Sequence, residues 1–238
     1  MKRNACAALV CLSFVMGLPC PGMEGPADPP PTPLETGAKI AVETVLSFVL
    51  ETRVTAERVR LDADTERFEL LNLRIANPKA FDSETPAIAV KRILLEAPPD
   101  VLFAPDPVVR VVEVSGAVIN ADADLRHGIN LKKLLDSAAR FKGPKPDDQK
   151  KWVIEKGLLR ESVVNLTTEL LVQQTREYKL KPIEMTLKDK DGGGLTADQA
   201  ISRVLRRILD EIGALGAEGS GNPLADLLRG SVGLPERP

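Results

Sequence analysis

The chain has 238 residues, with 32 Lys and Arg against 34 Asp and Glu, one His and three Cys. A single histidine, His127, excludes the two or three imidazoles of a typical catalytic zinc or facial-triad iron site. A net charge of −2, with six Phe, one Trp and one Tyr, supplies neither a phosphate-tracking surface nor platforms for base stacking, so no nucleic-acid partner is expected.

The first elements are a leader and a tether. Lys2 and Arg3 precede an apolar run from Ala5 to Leu18, which is short for a membrane span and matches a secretory signal. Residues 1–22 are therefore expected to be a signal peptide or an N-terminal anchor, and the protein to be periplasmic or otherwise exported. Cys6, Cys11 and Cys20 all lie there, and Pro19 before Cys20 departs from a lipobox. Seven of the 19 prolines fall between Pro19 and Pro33, which reads residues 23–33 as an extended tether.

The body follows. Leu34, Ala38, Ala41, Val42, Val45, Leu46 and Val49 recur at helical spacing and predict an amphipathic helix packed on a sheet. The period then changes to two over Val54 to Leu61, Phe68 to Ile75, Ala87 to Leu95, Val108 to Val114 and Ala117 to Ala121. Short strands in succession imply antiparallel pairing in a meander. Asn130 is placed to cap a helix over Leu131 to Phe141, and strands are expected again over Trp152 to Leu159, Ser162 to Leu171 and Tyr178 to Leu187. Thr196 and Gln199 form a capping box for a helix from Ala197 to Ile212. The predicted fold is α+β: a curved antiparallel sheet with N-terminal, middle and C-terminal amphipathic helices in one domain over 34–212, followed by a flexible Gly-rich tail over 213–238.

The chemical inventory is small. His127 sits in a polar turn with no nucleophile elbow in the sequence. Asp62 with Asp64, Asp122 with Asp124, and Asp147 with Asp148 lack the remaining positions of a calcium loop, and Asp189 to Gly194 lacks both the Lys-Ser/Thr of a P-loop and an acidic twelfth position. No catalytic residue, metal ligand or cofactor is expected, and the protein is read as no enzyme. A surface function is expected instead.

The order of segments resembles the AsmA-like family of bacterial envelope proteins, related to TamB and the chorein-type lipid-transfer proteins. The resemblance rests on Leu73-Arg74-Ile75-Ala76-Asn77-Pro78 with Phe81, on Gly128-Ile129-Asn130-Leu131, on Gly157 between two strand runs, and on the terminal helix. It implies an exported, non-catalytic protein that binds lipid or a membrane-associated partner in maintaining the cell envelope. An apolar sheet face for acyl chains is then expected at Leu71, Leu73, Ile75, Ile88, Val90, Val111 and Val118. The Leu-x-Ile-x-Asn-Pro run is also similar to LEA type 2 sandwich domains, which implies instead a structural or adaptor module pairing through an edge strand.

Overall fold

A computed structural model describes residues 29–62, 64–81, 84–97, 101, 104, 107–124, 126–141, 151–169, 173–189 and 191–218. The chain divides into units 1–30 and 31–238, and every described helix and strand lies in the second. The leader, most of the tether, Asp147 with Asp148 and the chain from 219 onward lie outside the described residues.

The fold is α+β. Helix α1 (Pro33–Leu50) precedes β1 (Val54–Thr55), β2 (Arg58–Asp62), β3 (Arg67–Ile75), β4 (Ile88–Glu96), β5 (Val108–Asp124) and β6 (Gly128–Ile129). Helix α2 (Asn130–Arg140) leads to β7 (Val153–Arg160), β8 (Val163–Glu169), β9 (Gln173–Lys179) and β10 (Ile183–Leu187), and α3 (Ala197–Glu218) follows. The strands from β1 to β5 form the expected antiparallel meander. Beyond it lies a seam not anticipated from the sequence: β7 and β8 both run parallel to β5, with α2 in the crossover that a parallel return requires.

Nine of the ten strands follow six paths, because β1 with β2, β7 with β8, and β9 with β10 are each one path broken once; the two-residue β6 pairs with the end of β5. The breaks line up. Val114 pairs with Leu159 and Val118 with Val163 at one constant offset, and the ladder skips Gly116 and Glu161 between them. It likewise skips Asn72 and Lys91 between Leu71↔Arg92 and Leu73↔Val90. Asn72, Gly116 and Glu161 have φ of 49°, 65° and 50°, so a left-handed residue on each of three paths creases the sheet along a single row. Lys91 lies over Gly116, where an added Cβ would stand 2.9 Å from the Lys91 Cβ.

The crease shifts the inside-outside alternation. Ala56 and Val59, and Leu70 and Leu73, are buried pairs three residues apart instead of two, and all four join one core cluster. Leu131, Leu134 and Ala138 of α2 and Leu205, Leu209 and Ile212 of α3 complete that cluster. Helix α3 continues past the predicted end at Ile212 to Glu218, where the good formers Ala214, Leu215 and Ala217 are set against Gly213 and Gly216, each costing about 1 kcal/mol.

Helix α1 guards the sheet edge. Its start carries a full capping box between Thr32 and Glu35. Glu35 Oε1 also accepts from the Leu61 N–H at 3.1 Å, Glu43 Oε1 from Ala56 N–H at 2.7 Å, and Ser47 Oγ from Val54 N–H at 2.9 Å. Outward donors of the edge path β1–β2 are thus satisfied by helix side chains, which blocks strand addition there. The expected apolar stripe of α1 is divided as a result: Ala38, Val42, Leu46 and Val49 turn inward, whereas Leu34, Ala41 and Val45 are exposed.

Gly116→Ala is expected to lower unfolding free energy by about 1–3 kcal/mol, whereas Gly37→Ala, an open site inside α1, raises it by up to about 1 kcal/mol. Urea unfolding measures both. The Thr32 N–H, then the Leu61 N–H, the Thr32 hydroxyl and the Arg58 guanidinium hold the Glu35 carboxyl below its ordinary value, against the opposing effect of burial. A depressed folded pKa stabilises fully above the unfolded value and is lost as pH falls through the folded one. Stability is therefore expected to fall below about pH 4.5, with Glu35→Gln weakening that acid dependence and costing about 1–2 kcal/mol at pH 7, read from urea midpoints across pH.

Candidate functional site

The seven residues expected on one sheet face divide between two. Leu73, Ile75, Ile88 and Val90 form a block, Leu73 opposite Val90 and Ile75 opposite Ile88, and are buried in the core cluster. Leu71, Val111 and Val118 lie on the opposite face, half-buried or exposed. The physical reason is the crease: Asn72 interrupts the period-two pattern that placed Leu71 beside Leu73. That opposite face carries charge, with Arg92 and Arg60 on Glu69, Arg160 on Glu113 at 3.7 Å and Lys156 on Glu184 at 3.9 Å.

A different apolar surface lies below the crease, on the face of the core. Val59, Leu70, Ile93, Val114, Leu159 and Ile183 are successive partners in one row that crosses all six paths. The adjacent row is Leu61, Phe68, Leu95, Val112, Gly157 and Met185. In it Leu61, Phe68, Leu95, Val112 and Met185 all stay half-buried, as do Ile93 and Val114 of the inner row. Half-buried Ala38 and Val42 of α1 and Ile201 and Val204 of α3 also pack against the core cluster. Gly157 leaves room for Met185, whose Cγ would lie 2.9 Å from an added Cβ. An exposed Glu66–Arg110 ion pair stands at the next position outward.

This floor spans five strand spacings, about 24 Å. It is apolar throughout, includes a flexible thioether and ends at an ion pair, which suits a chain-like apolar ligand with a polar head. Strand alternation contained the signal, since Phe68, Leu95 and Val112 each occupy alternate positions; only cross-strand register joins them. A shallow open pocket beside Phe48, about 360 Å³, is lined among the described residues by Glu43, Thr44, Ser47 and Phe48 of α1.

The two sequence motifs meet in space. Asn130, fully buried, donates through Nδ2 to Asn77 Oδ1 at 2.7 Å and to the Asn120 carbonyl at 2.7 Å. Its Oδ1 accepts from the N–H groups of Asp122 and Leu131. Asn77 Nδ2 donates to the Thr85 carbonyl, Asn120 Nδ2 to the Pro86 carbonyl, and Asn165 Nδ2 to Asn120 Oδ1. Asn130 stands inside the first turn of α2, with Ile129 at the cap position, so its role is to join the helix to the sheet more than to cap it.

His127 lies in the β5–β6 turn, with Nδ1 2.5 Å from Asp124 Oδ2 and its ring edge-on to Phe81. The Arg126 N–H, then His127, hold the Asp124 carboxyl below its ordinary value. Both side chains are partly solvent-exposed, and the hydrogen bonds keep them within the turn. Asp62 accepts from the N–H groups of Asp64 and Thr65, an Asx turn. Among the described residues no group of three or more His, Asp or Glu is placed to hold a metal.

No family model and no curated protein matches this chain.

Asn130→Ala is expected to cost about 2–4 kcal/mol, because it strands the Asn77 amide oxygen and the Asp122 N–H inside the protein. Asn165→Ala, at the half-buried end of the same network, costs about 1 kcal/mol or less. Thermal and urea unfolding of both variants test the ranking.

Proposed function

We propose that this chain is an exported, non-catalytic envelope protein of AsmA-like character that binds the acyl chain of a lipid on the floor below the crease. One observation carries the reading: Leu61, Phe68, Leu95, Val112 and Met185 lie in one cross-strand row beside the core row and are only half-buried. A leaflet's acyl chains span about 15 Å, half of a hydrocarbon core of about 30 Å, so one chain fits within the floor's width. The resemblance of the ordered segments to lipid-handling envelope proteins and the apolar leader agree with this reading. The binding residues differ from those first expected, since Leu73, Ile75, Ile88 and Val90 are buried in the core cluster.

An adaptor reading has one observation of its own. Among the described residues, β9 and β10 pair only with β8 and β7, which leaves their outer edge open to a partner strand. Lys179, Lys181 and Pro182 blunt that edge, so it ranks second.

Lipid extraction and mass spectrometry of protein purified under mild conditions should yield bound lipid. Val112→Lys, which places an ammonium on the floor, should reduce it by about tenfold or more. Absence of lipid from the wild-type protein, with a stoichiometric protein partner retained, would instead support the adaptor.

A further inference from the structure

Helix α1 carries apolar side chains on two sides: Ala38, Val42, Leu46 and Val49 turn toward the core, and a second stripe faces outward. Its polar side chains Glu35, Glu43 and Ser47 face inward and accept hydrogen bonds from the sheet edge. Its outer face carries Leu34, Ile40, Val45 and Phe48, which are 62%, 57%, 48% and 73% exposed. Gly37, Ala41 and Thr44 lie between them, and the stripe contains no charged residue. Four large apolar side chains thus form one uncharged stripe along the solvent side of the helix.

We infer that this face docks on a lipid bilayer surface. Eighteen residues make a helix about 27 Å long, and a stripe about 10 Å wide covers roughly 270 Å². A stable protein interface needs about 800 Å² from each partner, so the stripe alone is too small for a second copy or another protein. A bilayer demands no complementary shape and accepts a convex apolar helix lying in its interface. The helix is too polar on its inward side to span: no described helix is long and apolar enough to cross a membrane.

The preceding chain sets the distance. The apolar run from Ala5 to Leu18, with Lys2 and Arg3 before it, is joined to α1 by residues 19–32. At about 3.1 Å per residue in a proline-rich extended form, that link reaches roughly 43 Å. In a chain that retains the run as an anchor, α1 is held within this reach of the bilayer, which raises its effective concentration there. Because the stripe is uncharged, docking is independent of anionic lipid and of salt. The inference does not depend on the acyl-binding floor, which lies on different residues.

The test uses the full chain carrying Phe48→Trp, with the wild-type protein and its Trp152 as control. Vesicles of phosphatidylcholine, with and without bromine on the acyl chains, are the probe. The added tryptophan should shift to the blue on vesicles and lose most of its intensity to brominated lipid, equally at about 0.1 M and about 1 M salt. Ile40→Asp with Val45→Asp, both at exposed positions, should abolish that quenching, while Val112→Lys leaves it intact. An added tryptophan that is not quenched overturns the proposal, whether or not the protein sediments with vesicles. A blue shift without vesicles, accompanied by the mass of a dimer, also overturns it and assigns the face to a second copy.

Discussion

The fold depends most on one buried amide. Asn130 bonds four groups from three places in the sequence: the Asn-Pro turn after β3, the far half of β5, and the first turn of α2. Removing an amide from water is costly unless all its hydrogen-bonding capacity is used, and here two donors and an acceptor are all engaged. That requirement makes α2 enter at one position and one angle. Since α2 is also the crossover that turns the meander into a parallel seam, the register of β7 and β8 on β5 inherits the constraint.

The crease is the second constraint, and it determines what the sheet can do. A flat sheet with unbroken alternation would put Leu71, Leu73 and Ile75 on one face. With a left-handed residue on three of its paths along one row, the apolar sides above and below the crease both turn toward the helices. The part above the crease and most of the first row below it are buried in the core cluster that α2 and α3 complete, while the next row outward stays half-buried. The protein thus has a closed core and an accessible apolar floor made from the same strands, and its opposite face sets buried Leu94 and Leu158 among ion pairs between neighbouring strands.

Helix α1 solves the edge problem by an exchange. A helix that used its apolar side to cover the sheet would leave the outward N–H groups of Val54, Ala56 and Leu61 to other partners. By turning Ser47, Glu43 and Glu35 toward them, α1 closes the edge to strand addition and leaves Leu34, Ile40, Val45 and Phe48 outside. Its anchorage combines those three bonds with the buried Val49 and Leu50 and the half-buried Ala38, Val42 and Leu46.

Local pattern by itself determined the element types and their order. The spacing of Leu131, Leu134, Leu135 and Ala138, the alternation in β3, β4 and β5, and the proline and glycine punctuation all act within a few residues, where propensity and periodicity are informative. The absence of a histidine cluster and of downstream cysteine is likewise a matter of composition. Tertiary structure alone decided which side of each element was inside. Asn72, Gly116 and Glu161 take positive φ for reasons that come from neighbouring strands, and the resulting slip of alternation moved the candidate site from Leu73 and Val90 to Phe68, Leu95 and Val112. The same holds for α1, whose apolar stripe was legible but whose orientation was set by the unmet hydrogen bonds of a strand edge, a partner that no window along the chain contains.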